Sequence, residues 1–231
     1  MRRWPLALVL GLAAAIGSSA AWAQATCPVP RNLPPLQIDV KVVEPNVTYH
    51  HDVDLFGLQK VGHVSERPPE GSIRLGVTQI SDSIRYSFVT ANLPLRDGRV
   101  CVWLTQVTAS LGDSVMNVFV AGDYAPDTCE YKVILNHENT HVRFNIETLR
   151  DWMPTVRAEL VEAAKKRFPV IFPGTPTDRQ LSDQLLDNMH NVFALMNEDM
   201  AKRNATIDTP ENYRREHAKC SNWSRGRYKL D

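Results

Sequence analysis

The hydrophobic pattern of this chain changes its period once, near residue 128, and that change limits what it can build. Before it, short runs alternate apolar and polar residues, the mark of half-buried strands. After it, apolar side chains recur at three- and four-residue spacing, as on one face of a helix. The strand runs are 37–43 (QIDVKVV), 46–53, 72–80, 84–91, 99–110 and 114–121. Glu44-Pro45 separates the first two, and 65–71 (SERPPEG) is a turn-rich linker. Ser81-Asp82-Ser83 reads as the turn of one hairpin and Leu111-Gly112-Asp113 as the turn of a second. The helical part opens at Pro126-Asp127-Thr128, a capping signal, and runs from Glu130 to about Met153. Pro154 is expected to end or kink that helix, with 156–168 forming another. Residues 178–204 read as a third helix, with Leu181, Leu185, Met189, Val192, Met196 and Met200 in one line. Thr209-Pro210-Glu211 opens a short last helix to about Lys219. This order predicts an α+β fold: a small, mainly antiparallel sheet from 36–122, packed on helices from 129–220.

Residues 1–23 stand apart from that pattern. Arg2 and Arg3 precede an apolar run over 6–16, and Ala21-Trp22-Ala23 is a small-x-small cleavage site. Such a start reads as a signal peptide, cut after Ala23 or Ala25. The run is too short to span a bilayer and no later run reaches about 20 apolar residues, so stable membrane insertion is not expected. The expected destination is the bacterial periplasm or the extracellular space. Residues 24–231, 208 of the 231, then make one domain. Lys+Arg and Asp+Glu each number 26, and loss of Arg2 and Arg3 leaves a net charge of −2. A chain so balanced lacks the clustered basic face that a nucleic-acid partner requires. Its four cysteines, Cys27, Cys101, Cys129 and Cys220, are an even number in an exported chain and imply two disulfides. Three pairings exist. The preferred one joins Cys101 to Cys129, clamping strands to the helix start, and Cys27 to Cys220, tying the two ends. No CxxC spacing supports zinc held by cysteine.

Within the first helical stretch stands His137-Glu138-Asn139-Thr140-His141, an HExxH pattern. Two imidazoles four residues apart lie one turn apart on the same helix face and can grip one metal ion. The adjacent glutamate then points at whatever else the ion holds. With 7 histidines in 231 residues, chance supplies this spacing about 0.01 times per chain. Val133, His137, His141, Phe144 and Thr148 share one narrow stripe, which favours a half-buried site over a solvated face. His137 and His141 are therefore the expected ligands of Zn2+, with Glu138 as general base. The third ligand has no fixed spacing. Phe144 and Glu147 stand where the HExxHxxGxxH pattern has glycine and histidine, so that pattern is excluded. Glu147 falls about 120° around the helix from His141; His190 flanks an apolar stripe, and Glu198 lies on a polar side. His217 is the expected third ligand, one turn after Tyr213, which is placed to polarise a substrate carbonyl. His50, His51 and His63 read as exposed strand-end residues.

The segment 129–142 (CEYKVILNHENTHV), with the strand 115–121 before it and Cys129 just ahead of the helix, resembles the motif helix of a known group. That group is the secreted bacterial HExxH proteins of the zincin type, predicted zinc-dependent proteases. The resemblance covers roughly residues 100–150 well and the C-terminal third loosely. It implies a zincin-like α+β fold, a small sheet packed on the HExxH helix, with His137 and His141 as ligands and Glu138 as acid/base. The expected activity is that of a secreted or periplasmic zinc-dependent metallopeptidase acting on a peptide or protein. The strand at 114–121 is expected to receive an extended peptide along its edge. The competing class is a non-enzymatic exported protein that binds or assembles envelope components on the same scaffold. A structural zinc is closed by four protein ligands, whereas a catalytic one keeps a position open.

Overall fold

Three stretches of chain each supply two strands, and in every one the second strand leaves the sheet of the first. The computed structural model describes residues 26–61, 73–81, 84–112, 115–187 and 189–223. The signal-peptide expectation, the 65–71 linker and His63 lie outside them. The first stretch holds β1 (Gln37–Val42) and β2 (Asn46–His50), followed by the short helix α1 (Leu55–Leu58). The second holds β3 (Gly76–Ser81) and β4 (Ile84–Pro94), the third β5 (Val100–Leu111) and β6 (Val115–Val120). One sheet has the order β1-β5-β4 and the other β2-β6-β3.

The pairing carries on from sheet to sheet. Ile84 pairs with Leu111 and Ser81 with Val115, while on the other flank Val42 pairs with Leu111 and Asn46 with Val115. The two sheets thus follow one another, in matching strand order, as the arms of one three-stranded ribbon. This corrects both expected hairpins: 72–80 does not pair with 84–91, nor 99–110 with 114–121. A polar break of two or three residues looks the same in sequence whether the chain reverses or only bends. The hairpin that does form joins β4 to β5 through Leu95 N–H to Arg99 O (2.8 Å), with Gly98 at φ +84°. Just after β5 Gly112 takes φ +80°, where a Cβ would lie 2.8 Å from Leu149 Cδ1 and 3.0 Å from Val43 O. β1–β5 and β2–β6 are parallel pairs, and the others, including β7 (Val170–Phe172) on β5, are antiparallel. β7 is a strand from the half read as wholly helical.

Helix α2 (Cys129–Arg167) is 39 residues long, started by the Thr128 hydroxyl, which accepts from Tyr131 N–H. It does not stop at Pro154. An internal proline costs about 3 kcal/mol, but Val156 and Leu160 beyond it are fully buried, each worth roughly 1.5–3 kcal/mol. The helix runs beneath both arms. Val142 packs with Met116 and Val118 of β6; Leu149, Val156 and Leu160 share a core with Val107, Ala109 and Leu111 of β5. The expected third helix is two: α3 (Asp178–Leu186) and α4 (His190–Ala205). Asp187, a poor helix interior residue, ends the first, while buried Leu185 and Met189 keep the stripe on one core across the break. Last comes α5 (Pro210–His217), capped by Thr209 with Pro210 in its first turn.

The disulfides are Cys27–Cys101 and Cys129–Cys220, which overturns the expected pairing. Cys101 opens β5, and the chain runs the length of both arms before it reaches Cys129. The two therefore lie at opposite ends of the ribbon. Two disulfides fit an oxidising environment such as that of exported proteins. Among the described residues, no helix is long and apolar enough to cross a membrane. The fold is α+β, as expected, though its strands form two sheets and are partly parallel.

Candidate metal centre

Which side of α2 is left open is set by where its neighbours lie. Strand β6 covers Leu135 and Val142, β2 reaches Asn139 through Tyr49 Oη (3.0 Å), and β3 lies over Glu138. The strip that carries His137 and His141 emerges beyond β3 and meets the loop between α4 and α5. There Asp208 comes in, 71 residues after His137. His137 Nε2 lies 3.0 Å and His141 Nε2 3.3 Å from Asp208 Oδ1, and the two Nε2 atoms are 3.2 Å apart.

Each of these three groups has a further partner. Glu216 Oε2 stands 3.0 Å from His137 Nδ1, and Asn204 Oδ1 stands 2.9 Å from His141 Nδ1. The Tyr213 hydroxyl donates to Asp208 Oδ1 at 2.7 Å, its ring tilted beside that of His137. Tyr213 and Glu216 are three residues apart on α5 and so share one face. That helix is fastened at its end to the start of α2 by Cys129–Cys220, and Trp223 Nε1 donates to His217 O (2.6 Å).

Glu138 is buried between α2 and β3. The Thr78 hydroxyl donates to its Oε2 (2.8 Å) and lies 3.1 Å from its backbone oxygen. Gly76 leaves the room for this: a Cβ there would stand 2.5 Å from Glu138 Oε1. Burial pushes the Glu138 carboxyl upward, and the two imidazoles pull it only part of the way back. Burial pulls the His137 imidazole down, but Asp208 and Glu216 outweigh it and hold it up at about 10. His141 is raised on balance too, its burial outweighed by Asp208 and Glu138. Burial, then Asp208, push the Tyr213 phenol well above its ordinary range, so it remains a donor. Three carboxylates thus surround two imidazoles in a half-enclosed space, an arrangement that attracts a cation.

The donor set suits a metal ion. Four ligands at tetrahedral zinc distances stand about 3.3 Å from one another, and the three separations here fall within a few tenths of that. All three donor atoms lie within 4.8 Å of one another. The structure therefore brings His137, His141 and Asp208 together. His217, expected as third ligand, is not among them. It is exposed, its ring stacked on Trp223 at 4.7 Å. Glu147 is exposed beside Arg143, Glu198 pairs with Lys202, and His190 is exposed at the start of α4. His50 and His51 are half-buried, on Asn117 and the Tyr124 carbonyl. Sequence reasoning missed Asp208, Asn204 and Glu216. The available signal was the cluster Asp208-Thr209-Pro210 ahead of a helix whose Tyr213 and Glu216 lie on one face.

The strand expected to receive a peptide also changes. β6 is the middle strand of its sheet, paired on both sides, whereas β3 is the edge strand beside Glu138. Comparison of the chain with protein-family profiles, with curated proteins and with solved structures finds no match.

Proposed function

We propose that the protein is an exported zinc metallopeptidase with His137, His141 and Asp208 as ligands and Glu138 as general base. One observation carries this reading: three ligating atoms converge at metal-site spacing, and the buried carboxylate of the HExxH pattern feels the charge of all three groups. Zinc bound by three protein ligands supplies a Lewis-acidic fourth position that acidifies water and polarises a carbonyl. Glu138 takes the proton of the attacking water and returns it to the leaving nitrogen. Its buried setting suits that traffic, because a carboxyl with a raised pKa holds a proton more readily in passing. Thr78 and Gly76 keep Glu138 from turning away. Tyr213 keeps Asp208 in place, while Glu216 and Asn204 hold the outer ring nitrogens. An extended peptide would add to the edge of β3, where main-chain hydrogen bonds lay it across Glu138.

The test is zinc content and hydrolysis measured together. Purified protein should carry about one zinc per chain. Glu138→Gln should keep that zinc and lose roughly 10²–10⁴-fold in cleavage of a peptide library. A Glu138→Gln protein as active as its parent would sink the peptidase reading, and zinc without cleavage in either would favour the envelope-binding alternative.

A further inference from the structure

A histidine ligates through one ring nitrogen only when the other carries its proton, so whatever stands at the second nitrogen fixes which atom is offered. His137 and His141 are treated unequally in this respect. His141 Nδ1 faces the neutral amide oxygen of Asn204, whereas His137 Nδ1 faces the Glu216 carboxylate, half-buried at 15 % side-chain exposure. Glu216 lies 79 residues from His137, on a helix whose end is tied to α2 at Cys220 and to Trp223 through His217 O. It is not among the three converging donors. The mechanism needs no chemistry from it.

Resting on the reading of this site as a zinc centre, we infer that Glu216 is a positioning residue that locks His137 with its proton on Nδ1 and strengthens Nε2 as a ligand. The carboxylate accepts from Nδ1–H, orients the ring toward Asp208 and His141, and donates electron density through the imidazole. Asn204 orients the other ring without that charge, which leaves Glu216 as the element that sets how tightly the ion is held. Tyr213, one turn earlier on the same helix, fixes Asp208. A single short helix therefore contacts two of the three ligands.

The experiment uses the full mature chain and zinc alone, titrated against a chromophoric chelator in the parent, Glu216→Gln and Glu216→Ala. Cobalt spectra and metal-free melting curves are recorded beside them. Glu216→Ala should weaken zinc about 10- to 100-fold and shift the cobalt bands. Glu216→Gln, which keeps an acceptor oxygen without the charge, should fall between Glu216→Ala and the parent. A merely structural residue would move the melting curve and leave the cobalt bands alone, which counts against the inference. Nitrogen NMR of the parent gives a second reading that needs no variant: His137 should be the Nδ1–H tautomer when zinc is bound. The opposite tautomer overturns the assignment. Zinc affinity unchanged in Glu216→Ala overturns it while the zinc centre stands; a parent that binds no zinc overturns both.

Discussion

Asp208 and His217 offer the sharpest contrast among single side chains, since only the first meets the two imidazoles. Asp208→Ala should abolish stoichiometric zinc, because it removes a ligand and the anchor of Tyr213 together. His217→Ala should keep the zinc, with only the loss of its stacking on Trp223. Metal analysis of the two variants checks this, and zinc lost from His217→Ala but kept by Asp208→Ala would reverse the ligand assignment. Gly76 is the other decisive position. A methyl there meets Glu138 Oε1 at 2.5 Å and Ile134 Cγ2 at 2.7 Å, too close for either to stay where it is. Gly76→Ala should cost about 1–3 kcal/mol in stability and lower hydrolysis while zinc stays bound. Chemical denaturation and peptide cleavage test the pair of effects; a variant as active and as stable as the parent would mean that Glu138 is not held there.

Helix α5 is the element on which the centre depends most. It brings Tyr213 and Glu216 by its own periodicity, follows Asp208 through the Thr209 cap, and is covalently closed onto α2. Replacing Cys129 and Cys220 with serine should cost about 2–4 kcal/mol of stability and weaken zinc binding, because the partners on α5 are then free to drift. Melting temperature and zinc titration measure both; unchanged zinc affinity would show that packing of Trp223 alone holds the helix. These same elements explain what the amino-acid sequence discloses. His137, Glu138 and His141 are legible because a helix converts a spacing of four into one face, and the line Leu181–Met200 is legible for the same reason. Asp208 is not, because a loop residue obeys no period and its position follows from how α4 and α5 are packed. Strands β1 to β6 are legible but their partners are not, and β7 is not legible at all. Alternation tells which face a residue takes and not which strand it pairs with, so two alternating runs with a short break between them read as a hairpin even where each pairs with a strand of another stretch.

For the molecule as a whole, the charge gathered at this centre makes stability respond to pH, and under the proposed function zinc binding with it. His137 is held at about 10, above its ordinary 6.5. In the metal-free protein its proton stabilises the fold fully below about pH 6.5, and that contribution is lost as pH rises toward 10. Under the proposed function zinc would displace the same proton, so its apparent affinity should climb between about pH 6.5 and 9, with proton release on binding. Calorimetry in two buffers of different ionisation enthalpy measures the released protons, and an affinity flat over that span would contradict the His137 assignment. The Cys129–Cys220 bond adds a matter of timing. A newly made chain whose sulfurs are still thiols possesses both imidazoles of α2 but lacks the covalent hold that joins the end of α5 to that helix. Under the proposed function, oxidation would come before loading, and hydrolysis would first arise where an oxidant and zinc are both at hand.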